Sequence, residues 1–290
     1  MQEKGPGLTA RWSAMMRGMH LELDSDPKIL VDTFGKAFAN LPEDDLFGIN
    51  DPQWSEVGRA RIRATILWRS RVTEDHLVDS VAHGVRQYVI LGAGLDSFAY
   101  RRPSLQKEVS VFEIDHPVAQ QWKQRRLHEQ NVTIPDNVHY VSVNFEEDDL
   151  VDVLRSSPFD SSQPTFFSWI GVNYFLGQSD VQKTLAAILS AADGYCELSQ
   201  DFVVPAAFLP NDAAKKALEG ARELMAGIGA PWFSLYSPDE LARLLKEIGF
   251  DHTRHISPQE GGQQYFDGRT DNLKPGAFTH MMIASRGSIR

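Results

Sequence analysis

Apolar runs alternating with helical patterns predict an α/β fold: a mostly parallel sheet with helices on both faces. The runs are "QYVIL", "EVSVFEID", "VHYVSVNF", "PTFFSWIGV" and "GYCELSQDFVV". A second observation is that the first eighty or so residues carry no strand pattern and read as helices and loops. A third is the end of the chain. There the order is strand, insert, helix, strand, loop and a last strand "FTHMMIAS", which suggests a final antiparallel hairpin.

The elements can be justified in order. "TARWSAMMRGMHL" has scattered apolar positions, and "KILVDTFGKAFANL" follows Pro27. "EVGRARIRATILWRSRVTEDHLVDSVAHG" is a long helical pattern ending at Gly84. From Val85 the strands begin. "SDVQKTLAAILSAADG" reads as a helix capped by Ser179 with Gln182 three residues on, and Gly194 suits its exit. "SPDELARLLKEIGF" has Ser237, Pro238, Glu240 and Gly249 at the matching places. Between these helices, residues 205–236 form a long insert rich in aromatics, a plausible lid.

Bulk properties narrow the function. The 290 residues are 42% hydrophobic and 23% charged, ordinary for a chain that folds around a sizeable core. The net charge of −10, from 29 basic and 39 acidic residues, argues against a nucleic-acid partner. The single cysteine, Cys196, excludes an intramolecular disulfide and suggests a reducing, cytoplasmic setting. "MQEKGPGLTARWSAMMRG" has no uninterrupted apolar core, so a secretory signal is not expected, and no apolar run is long enough for a bilayer. There is no H-E-x-x-H and no cysteine cluster, so no metal is expected.

The chemistry is concentrated in the turns. In "YVILGAGLDSFAY", Gly92 and Gly94 let the backbone approach a ligand, with a helix expected to start near Leu95. A dinucleotide fingerprint needs a third glycine where Ser97 stands, and Asp96 would oppose a pyrophosphate. Asp115 ends the next strand, roughly 20 residues on, at the spacing of an acid that reaches ribose hydroxyls. Glu113 lies two residues before it and faces the same way. Asn144 and Phe145 follow the third strand and suit an adenine edge and face.

Together, "QYVILGAGLDSFAYRRP", "VFEIDHPVAQQWKQRRL", "FFSWIGVNYFL" and "GAPWFSLYSPDELARLLKEIGF" resemble the leucine carboxyl methyltransferase family, and more closely its bacterial branch linked to polyketide metabolism. The resemblance implies a class I methyltransferase fold: a Rossmann-like sheet, its last strand antiparallel, with an N-terminal helical cap and a lid insertion. The chain would be a single domain, with the cap over residues 1–84, the donor-binding core over 85–204, the lid over 205–236 and the rest of the core over 237–290. It also implies S-adenosylmethionine as cofactor. Gly92 and Gly94 would then lie against its methionine and ribose portions, Asp115 would take the ribose, and Asn144 and Phe145 the adenine. Arg69 matches the arginine that holds the donor carboxylate, with Arg71 as a second candidate. Ile170 stands where many members have Glu, Asn144 where Asp is usual, Ala230 where Glu precedes Pro-Trp, and Phe175 where a tyrosine is usual, with Tyr174 one place earlier.

The implied activity is methyl transfer to a carboxylate or hydroxyl of a small-molecule acceptor, with no membrane partner. No general base stands out among His20, His76, His116, His252, His255 and His280. Trp169, Tyr174, Phe208, Trp232, Phe233 and Tyr236 are candidate acceptor-pocket walls. Met15, Met16 and Met19 are read as core. Two alternatives are a nicotinamide-dependent oxidoreductase and a donor-binding protein without turnover.

Overall fold

The computed structural model describes residues 5–41, 55–144 and 148–288. Its centre is a seven-stranded sheet of β1 (Gln87–Leu91), β2 (Ser110–Asp115), β3 (Val138–Ser142), β4 (Thr165–Trp169), β5 (Cys196–Val203), β6 (His252–Ile256) and β7 (Thr279–Arg286). The spatial order is β3-β2-β1-β4-β5-β7-β6. The pairings from β3 across to β5 are parallel, and β7 runs antiparallel to both β5 and β6. The order reverses between β1 and β4. In an open α/β sheet, a crevice opens beyond the strand ends at such a switch point.

The strands alternate their faces, as a period of two requires. Val89, Phe112, Phe167 and Leu198 point to one face, where they bury Leu185 and Ile188 of α8 (Gln178–Ala191) and Leu241 and Leu245 of α10 (Pro238–Ile248). Tyr88, Ile90 and Phe166 point to the other, against Leu77 and Val81 of α3 (Glu56–Ala82). Further along α3, Leu67 and Trp68 pack on Met281 and Ile283 of β7.

The helix ends report where local signals prevailed. Ser237 and Glu240 form the expected capping box, with Pro238 inside the first turn and Gly249 at the exit. Ser179, by contrast, caps nothing. The Gly177 carbonyl already accepts N–H groups from Asp180 and Val181, so α8 begins two residues earlier and Ser179 falls within its first turn. The loop expected before the last strand contains α11 (Pro258–Phe266), opened by Ser257, whose side chain accepts the Glu260 N–H. Its Ser-Pro-x-Glu start repeats that of α10.

The connections between β1 and β4 carry α5 (Pro103–Gln106), α6 (Pro117–Glu129) and α7 (Leu150–Arg155), and the N-terminal segment folds over the sheet as α1 (Leu8–Leu23) and the short α2 (Gly35–Ala39). Met15, Met16 and Met19 pack with Phe38 and Trp122. Three charged contacts hold this segment. Asp24 receives Arg63 of α3 through two hydrogen bonds and His20 Nδ1–H at 2.7 Å. Asp32 receives Arg17 at 2.7 Å. Arg269 bonds the carbonyls of Ser25 and Pro27 while paired with Asp271. Among the described residues, no helix is long and apolar enough to cross a membrane.

Candidate active site

A cavity of about 2150 Å³ opens at the strand ends, between α1, α3, the glycine turn and α9 (Asp212–Gly227) of the insert. Ligand pockets usually measure roughly 300–1,000 Å³, so this one has room for two small molecules side by side.

The glycine turn forms one wall. Gly92 and Gly94 have φ of +65° and +47°, a left-handed backbone that favours glycine. A Cβ on Gly92 would come within 2.6 Å of Val172 Cγ2. Gly92→Ala is therefore expected to cost about 1–2 kcal/mol from the backbone alone, read as a fall in the urea midpoint; an unchanged midpoint would contradict the geometry. The helix expected at Leu95 starts later, as the single turn α4 (Phe98–Arg101). Asp96 Oδ1 accepts the Phe98 N–H at 2.7 Å, so Asp96 serves as a local cap and delays the helix. The Leu95 carbonyl is meanwhile held by Arg17 of α1 at 2.6 Å.

Asp115 lies at the end of β2 on the cavity wall. Its carboxylate accepts the N–H groups of Gly94 and His116. Burial nevertheless pushes its carboxyl above the ordinary value, with those two bonds pulling against it. The adjacent Glu113 is inside the protein, paired with Lys123 at 2.7 Å, and burial raises it to about 6.

Arg69 reaches the cavity from α3. Nη1 donates to Asp201 Oδ2 at 2.9 Å and to the Tyr174 hydroxyl at 3.0 Å; Nη2 is 3.4 Å from Ser13 Oγ. Ile170 also lines the cavity. Arg71 does not. It binds Asp75 at 2.8 Å and the Ile29 carbonyl instead, because two residues along a helix turn a side chain to another face.

The remaining candidates separate cleanly. Tyr174, Trp232 and Phe208 line the cavity. Tyr174 and Trp232 meet edge-on at 5.3 Å. Trp169 does not line it: as the last residue of β4 it points to the α8 face, 1% exposed, in the main core. Tyr236 likewise belongs to that core, next to the start of α10, and Phe233 is outside the cavity and 63% exposed. Asn144 follows β3, its backbone N–H bonded to Asp148, and it is not among the cavity-lining residues. Phe145 lies outside the described residues.

Two contributors were not singled out from the sequence. Arg17 ties the cap to the glycine turn, and Asp201 seats Arg69. The second had a signal: Ser199-Gln200-Asp201 interrupts a strand whose residues are all buried, and buried polar groups require partners.

A parallel sheet with one reversed strand and a cavity at its switch point defines the class I methyltransferase fold. Two solved structures share it. One is a DUF574 family protein from Streptomyces avermitilis MA-4680, with TM-score 0.61 and 15% identity, covering 97% of this chain and 98% of that one. The other is a Thermobifida fusca YX protein provisionally described as a methyltransferase, with TM-score 0.63 and 15% identity, covering 99% and 97%. The family model described as leucine carboxyl methyltransferase matches residues 10–189, and the chain belongs to that family. A relative from Bacillus subtilis (strain 168), YktD, carries the provisional name of an S-adenosyl-L-methionine-dependent methyltransferase. It is 29% identical over 306 residues, covering 98% of this chain and 99% of its own. This kinship leaves the nicotinamide alternative without support.

Proposed function

We propose that this methyltransferase moves the methyl group of S-adenosyl-L-methionine to a carboxylate oxygen of a small-molecule acceptor. The donor supplies an electrophilic methyl group on a sulfonium. On this reading Gly92 and Gly94 bring the backbone close to it, Asp115 takes the ribose hydroxyls, and Arg69 holds the carboxylate at the methionine end. The family resemblance assigns Asn144 and Phe145 to the adenine side, although Asn144 does not line the cavity, and Ile170 is assigned to the methionine end. The lid over residues 205–236 then covers the acceptor, with Trp232 and Tyr174 as apolar walls that exclude water.

The observation that carries the choice of a carboxylate is how the histidines and carboxylates of the cavity wall are engaged: His116 Nδ1 accepts the Val118 N–H at 3.2 Å, and Glu223 and Asp267 are exposed to solvent. His280 lines the cavity, but both ring nitrogens are engaged: Nε2–H donates to the Ala277 carbonyl at 3.2 Å, and Nδ1 accepts from His255 Nε2–H at 2.7 Å. Burial also holds His280 down at about 4. Glu74 is paired with Arg101 and Arg102, and Asp96 is taken up by its cap. A hydroxyl acceptor would need a base to take its proton, a contribution of about a hundredfold or more. A carboxylate is already ionised. Alignment and desolvation then supply the catalysis, worth up to roughly 7–11 kcal/mol when the reacting atoms are held in line.

The test is transfer of labelled methyl from S-adenosylmethionine into a panel of aryl carboxylic acids and matched phenols. Products whose label is released as methanol by mild base are esters and support the reading. Label found only in base-stable ethers would reject the carboxylate and leave the methyltransferase.

A further inference from the structure

Asp201 is fully buried in β5, yet it carries a charge whose burial is costly unless it is paired and hydrogen-bonded. Its surroundings meet that requirement on every side. Oδ1 accepts the Gly171 N–H at 2.7 Å, Oδ2 accepts Arg69 Nη1–H at 2.9 Å, and the Asp201 carbonyl takes the Asn173 amide. In the sheet, Trp169 is level with Gln200, so Asp201 stands beside Ile170 at the mouth of the switch point.

The consequence falls on Arg69. Nη1 has two hydrogens, and Asp201 and Tyr174 use both. The guanidinium lies flat over Gly171, whose φ is +76°; a Cβ there would come to 3.0 Å from Nη2 and 3.2 Å from Nη1. Nη2 is therefore the edge left toward the cavity, where it donates to Ser13 Oγ at 3.4 Å. The pair is also neutral overall. A bare guanidinium would repel a ligand that carries an ammonium and a sulfonium beside its carboxylate. A guanidinium with its charge balanced from behind can still donate a hydrogen bond forward.

We infer that Asp201 is a positioning residue for ligand recognition: it fixes Arg69 so that Nη2 faces the carboxylate of the donor's methionine end, while Asp201 itself touches no ligand. The inference rests on the assignment of Arg69 to that carboxylate.

Calorimetry with two ligands tests both statements. S-adenosylhomocysteine has the amino-acid end; 5′-methylthioadenosine has the adenosine and sulfur without it. Asp201→Asn is expected to weaken S-adenosylhomocysteine by about 10- to 100-fold, the scale of a charge-assisted hydrogen bond, and to leave methylthioadenosine unchanged. A merely structural residue would weaken both equally, and that result, or no loss for either, overturns the inference. If Asp201→Asn gives no folded protein, Asp201→Glu carries the same comparison, because the longer side chain displaces Nη1. Arg69→Gln separates the two levels. If it loses the selectivity and the Asp201 variants do not, the positioning role fails alone; if Arg69→Gln keeps full affinity, the carboxylate assignment fails with it.

Discussion

Asp115→Ala is expected to weaken S-adenosylhomocysteine binding by about 10- to 100-fold, equivalent to about 1–3 kcal/mol, and to leave the ligand-free protein as stable as before or slightly more so. The two halves have one cause. Burial raises the Asp115 carboxyl above its unfolded value, so at neutral pH the ionised form costs the folded state stability. That cost is absent well below the unfolded value and grows as pH rises through the folded one. The N–H groups of Gly94 and His116 offset part of it, and a ligand's ribose hydroxyls would offset more. Removing the carboxylate therefore takes away binding without taking away fold. Calorimetry and urea unfolding on the same preparation check it. Unchanged affinity would remove Asp115 from the site, and a large loss of stability would contradict the burial argument.

Asp24→Ala is expected to act in the opposite way, costing about 3–5 kcal/mol of stability, because it leaves the buried Arg63 and His20 without their shared partner. His20 is fixed on both sides, its Nδ1–H on Asp24 and its Nε2 accepting the Ile29 N–H at 2.9 Å, so the loss spreads into the turn after α1. Asp24, Asp32 and Asp271 are all held below the ordinary carboxylate range in the presence of their arginines, Asp271 at about 2. Carboxyls lowered in this way contribute stability that is present above their unfolded values near 4 and is lost as pH falls through the folded ones. The N-terminal segment should accordingly release first between about pH 4 and 2. Tryptophan emission from Trp12 would follow it. A Trp12 signal that changes only together with global unfolding would deny the segment its separate anchorage.

The legible part of this protein followed from short-range chemistry. Short apolar runs alternating with helical patterns named the strands. Ser237-Pro238 with Glu240 named a helix start, and the same pattern at Ser257 went unused although it was equally readable. Gly92, Gly94 and Asp115 stood out because a left-handed turn and a strand-end acid leave marks at fixed spacing, and the structure brings all three to one cavity wall. Ser179 misled because a capping motif states only that a cap is possible; the carbonyl of Gly177 took the N–H groups first.

What could not be read was which aromatic rings meet the cavity. Trp169 and Tyr174 are five residues apart and equally apolar in sequence, yet one is sealed in the core and the other bonds Arg69. Strand parity decides the first; the turn after β4, with Gly171 at positive φ, decides the second.

The sequence by itself determined the strands and helices and the glycine turn with its acid, because these depend on residues close together in the chain. Only the tertiary structure decided that Arg17 grips the turn, that Asp201 stands behind Arg69, and that Trp232 comes to lie against Tyr174. Those partners are separated by 78, 132 and 58 residues, and no local pattern encodes a contact that a packed sheet and its covering helices have first to create.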